Sequence, residues 1–243
     1  IPRYFNDDGE LILNNINKTQ INVNVEPRDY QKIVIKEIHD ELIKNGSCIA
    51  CLYTGWGKTF ASLYIASLLG VKTIILVNKE SLLVQWSEQI KKFMDVTPGI
   101  IQGKNVNTSP GICIGMIQSI SMKDYDTDIF NDFSFAVFDE THHYCSKVFS
   151  NVFYKIGAHY NLGLTATLKR ADKLEYTLEW FIGKPVVNVQ LLIIEPEIHI
   201  HTFQDYPPDT IKYLPNGKVN SPASITSITE VDSRNDYILK LIK

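Results

Sequence analysis

The sequence predicts an α/β fold, a mainly parallel sheet with helices on both faces, plus a short N-terminal β-like extension. Three observations carry that prediction. Short apolar runs alternate with stretches in which apolar residues recur every three or four positions, the pattern of strands alternating with helices. Several runs, such as Ile112–Met116 and Phe135–Phe138, carry no charge at all, as strands covered on both faces require. The polar motifs follow directly on the ends of these runs, and open α/β sheets bind their ligands at the carboxyl ends of strands.

Taken in order, residues 1–25 are rich in asparagine and hold two short β-like pieces, 11–13 and 21–25, read as an appended extended segment. Apolar residues at 30, 33, 34, 38, 42 and 43 outline one face of a helix, which Asn45-Gly46 stops. A strand over 48–53, a glycine-rich loop and a helix ending at Gly70 come next. Thr73–Val77 is a strand, followed by a helix with Leu82, Leu83, Trp86, Ile90 and Phe93 on one side. Further strands are expected at 112–116, 135–138 and 162–165, and the aromatic-rich stretch 149–160 is expected to pack a helix on the sheet. After Gly183 the texture changes. Residues 186–189 and 197–203 look like strands, Pro207-Pro208 and Pro215-Asn216-Gly217 mark turns, and a helix begins at Asp236. The expected domains are therefore an extension (1–25), an α/β domain (26–190), a β-containing linker (191–232) and the start of a second domain (233–243).

Composition narrows the class. The 243 residues are 44% hydrophobic and 21% charged, ordinary for a globule with a real core. The formal net charge of −3 gives no electrostatic footprint for strong nonspecific nucleic-acid binding by this piece alone. No apolar run approaches the ~18–20 residues that span a membrane. The start at Ile1 is no signal peptide and reads as part of something longer. Cysteines stand at 48, 51, 113 and 145. Cys48 and Cys51 form a C-x-x-C with no second pair, on an apparent buried strand, so they read as core thiols in a reducing, intracellular compartment.

Thr54-Gly55-Trp56-Gly57-Lys58-Thr59, set between an apolar strand and an apolar helix, has what a phosphate-cradling loop requires. Glycines let backbone N–H groups approach phosphates, and the helix presents its positive end. Lys58 can reach the outer phosphates and the Thr59 hydroxyl can ligate Mg²⁺. Leu52 stands where the strict pattern has a further glycine. Because the loop binds through its backbone, the Trp56 indole is expected to point outward. About 80 residues on, Asp139-Glu140-Thr141-His142 follows a buried strand expected to neighbour that of the loop. One carboxylate can hold Mg²⁺ and the next can orient or deprotonate an attacking water.

These motifs, with Leu164-Thr165-Ala166-Thr167, resemble motifs I, II and III of superfamily 2 helicases of the DEAD/DEAH type. Arg28-Asp29-Tyr30-Gln31 looks like the R-x-Y-Q element that reads adenine, with Gln31 on the base. The segment 74–86 resembles motif Ia, and 115–120 resembles the T-x-Q-S-L segment that lies against a nucleic-acid strand. The order matches over about residues 26–190. The run 163–172 is similar to the G-L-T-A-T-L-x-R-E-D of TFIIH-type (xeroderma pigmentosum group B) DNA translocases, except that Ala171 replaces Glu. The D-E-x-H-H form resembles transcript-release helicases of large DNA viruses.

The resemblance implies a RecA-like P-loop domain that binds ATP and Mg²⁺. Arg28, Gln31, Thr54, Gly55, Trp56, Gly57, Lys58 and Thr59 would hold the nucleotide, Thr59 and Asp139 the metal. Glu140 would be the base, His142 the link to motif III, and Thr165 and Thr167 the coupling pair. Asn78, Lys79, Gln118 and Ser119 would contact a nucleic-acid strand, DNA favoured over RNA. The implied partners are nucleic acid, a second RecA-like domain and transcription machinery. That second domain supplies a Q-x-x-R-x-x-R element absent here, so this piece alone is expected to be nearly inactive. An RNA-directed helicase and a nonhydrolysing nucleotide-gated module stay open as alternatives; a P-loop kinase or transporter ATPase fits Gln31 and L-T-A-T poorly. His142, His143 and Cys145 could suggest zinc, but D-E-x-H already accounts for the local polarity. His199 and His201 read as one strand face, and Lys91-Lys92 as an exposed helix face.

Overall fold

In the computed structural model, which describes residues 16–146, 148–167, 175–190 and 199–242, six of the expected strands and two further ones assemble into one eight-stranded sheet. The strands are β1 (Ser47–Leu52), β2 (Thr73–Val77), β3 (Gly99–Gln102), β4 (Asn105–Val106), β5 (Ile112–Met116), β6 (Phe135–Phe138), β7 (Tyr160–Thr165) and β8 (Pro185–Val189). Their order is β4-β3-β5-β2-β6-β7-β1-β8, and every pair is parallel except β3 with β4. That exception is a hairpin turning through Gly103 (φ 62°); β3 and β4 are short, and no sequence pattern announced them.

Strand register sorts the core into two faces. In β2, Ile75 and Val77 join one apolar cluster while Ile74 and Leu76 join the other; in β6, Phe135 and Val137 part from Ala136 and Phe138 in the same way. This is the two-residue alternation of side chains across a strand. Helices α1 (Asp29–Asn45), α2 (Lys58–Leu69) and α3 (Glu80–Met94) cover the first face. The second face is covered by α4 (Ile117–Met122), α5 (Val152–Lys155), α6 (Glu175–Phe181) and turns of 3₁₀ helix. The aromatic stretch 149–160 therefore packs on the sheet as expected, with Val152 and Phe153 buried, although its helix is only one turn long.

Four expectations change. The buried stripe of α1 is Gln31, Ile35, Ile38 and Leu42, while Tyr30, Ile33 and Ile43 are exposed. The apolar count caught Ile38 and Leu42 but placed the face too far towards Tyr30 and Ile33, leaving out Ile35 and the polar Gln31 that heads the stripe. Residues 21–25 form no strand; Ile21 is buried as an apolar plug, and the nearby pairing is a single bridge from Lys18 to Val71. The piece at 11–13 lies outside the described residues. The strand at 197–203 is absent over 199–203, its first residues lying outside the described ones. Finally β1 and β6 are not neighbours, because β7 runs between them.

Contacts divide the chain into two units, Ile1–Leu192 and Ile193–Lys243. The smaller unit, taken by itself, holds a bridge from Tyr213 to Val219 about a turn in which Gly217 has φ 77°, then α7 (Ser221–Thr229) and α8 (Asp232–Ile242). Asn220 caps α7 by accepting from the Ala223 N–H, and Pro222 occupies its first turn. No described helix is long and apolar enough to cross a membrane.

Candidate nucleotide site

A cavity of about 560 Å³ opens at the carboxyl ends of β1 and β6 and takes in both Lys58 and Asp139. The chain leaves β1 through Gly55 (φ 89°) and Gly57 (φ 104°), backbone states that only glycine adopts without strain. A Cβ on Gly57 would stand 2.6 Å from Gln31 Nε2, whereas one on Gly55 would meet nothing within 4 Å. Gly57 then caps the twelve-residue α2, whose first N–H groups face the cavity with no side-chain cap.

Gln31 reaches the loop from α1. Its Oε1 accepts from the Arg28 N–H at 3.1 Å, and its Nε2 donates to the Trp56 carbonyl at 3.2 Å. The Tyr30 hydroxyl donates to the same carbonyl at 3.5 Å and accepts from Arg28 Nη1. The Trp56 indole corrects the sequence expectation. It is 2% exposed and meets the Tyr30 ring edge-on at 5.9 Å. The loop does present its backbone, but a large apolar ring gains far more by filling space beside α1 than by standing in water.

Opposite, β6 delivers Asp139 and Glu140. Asp139 is buried; its Oδ2 accepts from Trp86 Nε1 at 2.8 Å and its Oδ1 from the Glu140 N–H at 3.0 Å. Burial holds this carboxyl above its ordinary value of 3.8, opposed by the Trp86 hydrogen bond. Glu140 sits at φ 48° and ψ 56°, the left-handed region that a branched-off side chain resists. That turn swings its carboxylate back over the cavity. Glu140 Oε1 lies 3.8 Å from Lys58 Nζ, and Oε2 lies 3.4 Å from His142 Nδ1. Lys58 also donates to the Leu52 carbonyl at 3.3 Å. His142 Nδ1 is 3.5 Å from Thr165 Oγ1, which donates to the Thr167 carbonyl at 2.7 Å and accepts from the Thr167 N–H. A continuous polar line thus runs from Lys58 through Glu140 and His142 to Thr165 and Thr167. Thr141, buried between the strands, can donate to Leu164 O at 2.7 Å or Phe138 O at 3.0 Å, tying β6 to β7.

The donor set fits a magnesium–triphosphate. A glycine cradle, a helix N-terminus and a lysine offer positive character; the Thr59 hydroxyl and the Asp139 carboxylate offer the hard oxygens that Mg²⁺ takes. Arg28, Thr54 and Glu140 also line the cavity.

The proposed nucleic-acid residues lie at the ends of β2 and β5. Lys79 is exposed, and Asn78 is buried. Gln118 donates to the Asn78 carbonyl, and Ser119 Oγ accepts from the Gly103 N–H at 2.9 Å. The continuation of motif III at 168–172, including Ala171, lies outside the described residues.

Sequence reasoning missed Trp86 and Tyr30 as site residues. Trp86 read as one more apolar position of α3, and nothing in a helical stripe marks an indole N–H as aimed at a carboxylate. Cys48, Cys51 and Cys113 are buried thiols. The side chain of Cys145 lies outside the described ones.

A family profile described as the type III restriction enzyme res subunit (ResIII) matches residues 24–170, a span that contains Gln31 and every group of the line from Lys58 to Thr167. The chain belongs to the ResIII family. A protein of Acanthamoeba polyphaga mimivirus, named as an inferred ATP-dependent RNA helicase, is 31% identical over 225 residues, covering 89% of this chain and 43% of the relative. A DNA 3′–5′ translocase of the XPB type from Sulfurisphaera tokodaii is 35% identical over 154 residues, covering 61% of this chain and 32% of that protein. The SWI2/SNF2 ATPase core of Sulfolobus solfataricus, solved in complex with dsDNA, shares the fold with a TM-score of 0.54 at 19% identity, over 67% of this chain and 37% of that one. The superfamily 2 helicase assignment and the RecA-like fold both stand on these matches. This ResIII chain spans about half the length, or less, of the curated relatives it matches.

Proposed function

We propose that this ResIII chain is the ATP-binding half of an ATP-dependent superfamily 2 DNA helicase or translocase. The observation that carries the reading is the line Lys58–Glu140–His142–Thr165, which joins residues of three helicase motifs and starts from the cavity that Lys58 and Glu140 line. Gly55, Gly57 and the N-terminus of α2 cradle the β- and γ-phosphates, and Lys58 leaves Glu140 to neutralise them. Thr59 and Asp139 would hold Mg²⁺, which would supply neutralisation of the charge on the phosphates. Glu140, released by Lys58, takes a proton from water; the water oxygen bonds to the γ-phosphorus as the bond to the β-phosphate oxygen breaks, giving ADP and phosphate. His142 stays between Glu140 and Thr165, so a change in the carboxylate's partner reaches Thr165 and Thr167.

Transition-state charge still needs an arginine. Among the described residues the arginines are Arg28, engaged with Tyr30, and Arg234 in α8. We assign that role to a second RecA-like domain, an arginine finger being worth ~10³–10⁵ in turnover. Nucleic acid lies along the strand ends at Asn78, Lys79, Gln118 and Ser119, and the whole protein works with transcription machinery in a reducing intracellular compartment.

One observation favours RNA as the second reading. The mimivirus relative, 31% identical over 225 residues, is named as an RNA helicase. The test is ATP turnover by the full-length protein with single-stranded DNA, duplex DNA and RNA in turn. DNA stimulation that Glu140→Gln abolishes supports the main reading. RNA stimulation alone supports the second, and turnover indifferent to Glu140→Gln overturns both.

A further inference from the structure

Helix α3 starts at the strand end that carries Asn78 and Lys79 and passes over the nucleotide cavity, where Trp86 and Gln85 line the wall. Its buried side, Leu83, Trp86, Ile90 and Met94, is seated against the sheet, so the indole is fixed in place by packing on its own helix. From there Trp86 donates its single N–H to Asp139 Oδ2 at 2.8 Å, both groups being more than nine-tenths buried. Tryptophan has one donor and no acceptor, so Asp139 takes up the whole hydrogen-bonding capacity of this ring.

Asp139 needs such a hold. It stands at the point where the chain leaves β6, and the next residue turns into the left-handed region. Its backbone is therefore a pivot. The carboxylate torsions are set by the Trp86 N–H on one oxygen and the Glu140 N–H on the other. Each oxygen keeps a lone pair after accepting one hydrogen bond, and the pair of donors decides which way those remaining lone pairs point.

We propose that Trp86 is a positioning residue for Asp139, fixing the carboxylate in the orientation that takes up Mg²⁺ and tying that orientation to the placement of α3. The assignment rests on the nucleotide-site reading above. It adds that the metal carboxylate is set from the same helix whose start forms the nucleic-acid edge. A tryptophan present only for packing would make no distinction between nucleotide with and without metal.

The experiment is titration of a fluorescent ATP analogue into the chain, with Mg²⁺ and with EDTA, for wild type, Trp86→Phe, Asp139→Ala and the double variant. Phenylalanine keeps an aromatic ring and removes the donor. Trp86→Phe is expected to weaken Mg²⁺-dependent binding about tenfold, the effect of one hydrogen bond to a charged group. Metal-free binding is expected to stay within about twofold. In the Asp139→Ala background the same change is expected to have no further effect. Equal weakening with and without metal, additivity with Asp139→Ala, or no change in Mg²⁺-dependent binding each overturns the proposal. Loss of metal-free binding with Asp139→Ala retaining Mg²⁺ dependence would instead sink the site reading itself. A second measurement needs no Trp86 variant. The three tryptophans give three indole N–H resonances in a ¹⁵N spectrum. One of them is expected to shift in Asp139→Ala and again when Mg²⁺ is added to the nucleotide complex; three indole signals unmoved by Asp139→Ala overturn the proposal.

Discussion

A Cβ placed on Gly57 would come within 2.6 Å of Gln31 Nε2, so the helix that heads the domain and the phosphate loop are fitted to each other at a single hydrogen atom. Two costs would meet in Gly57→Ala: the collision, and a φ of 104° that alanine resists. The variant is expected to lose at least about tenfold in nucleotide affinity by analogue titration. Adding Gln31→Ala clears the collision but leaves the backbone cost, so recovery should be partial. Gly55→Ala meets no collision but still carries a φ of 89°, so it should cost about 1–2 kcal/mol of stability from backbone strain alone.

Glu140 holds a backbone shape that its own type disfavours, at φ 48°. Glu140→Gly should therefore raise the melting temperature of the nucleotide-free chain slightly, worth up to about 1 kcal/mol, while abolishing turnover in the full-length protein. Differential scanning fluorimetry checks the first half, and a phosphate-release assay the second. A melting temperature below that of Glu140→Ala would show the turn to be unstrained.

Lys58 and Glu140 are 3.8 Å apart and should separate functionally. Lys58→Ala is expected to lose nucleotide binding by tenfold or more, about 1.4 kcal/mol at least. Glu140→Gln is expected to keep binding and lose at least about 10²-fold in turnover, as removal of a general base does.

Trp56 and Trp86 are each 2% exposed, whereas Trp180 is 64% exposed. Iodide should therefore quench one tryptophan component and spare the rest, and Trp180→Phe should remove the quenchable part. Trp56→Ala should cost about 3–5 kcal/mol in urea unfolding, as truncation of a large buried ring does. An outward indole would show neither effect.

The buried thiols give the fold an alkaline limit. Burial, with Glu41 adding to it, pushes Cys48 from 9.0 up to about 12, and burial pushes Cys113 up to about 11. Above pH 9 the unfolded chain releases these protons while the folded chain keeps them. Their contribution is complete below pH 9, and stability falls as the pH rises towards 11–12, by up to about 1.4 kcal/mol per pH unit for each thiol. Urea midpoints at pH 8.5 and 10.5 should show the loss, and Cys48→Ala should flatten it.

The parallel sheet was readable in the sequence because its strands are buried on both faces and so carry uninterrupted apolar runs. Lys58, Thr59, Asp139, Glu140 and Thr165 were readable because each sits in a motif at a strand end. Trp86 was not, since a hydrogen bond from a helix to a strand end 53 residues away leaves no trace in local spacing. Gln31 was readable as a motif residue but not as the head of a buried stripe, and Trp56 was misplaced because the motif describes a backbone and says nothing about where an unusual side chain goes. The short β3–β4 hairpin and α7 carry too few apolar residues to stand out from turns.

β7 lies between the strand that feeds the phosphate loop and the strand that feeds the acidic pair. Sheet spacing then separates those two strands by about 10 Å, the breadth of a phosphate chain. On the ribosome β1 and β6 emerge first, and the strand that must wedge between them arrives last. A nascent chain that stops short of residue 160 holds both chemical halves yet no working gap between them. Nucleotide capture is thus a certificate that long-range assembly has finished, and a slow one, because parallel pairing across more than a hundred residues must close before it is issued.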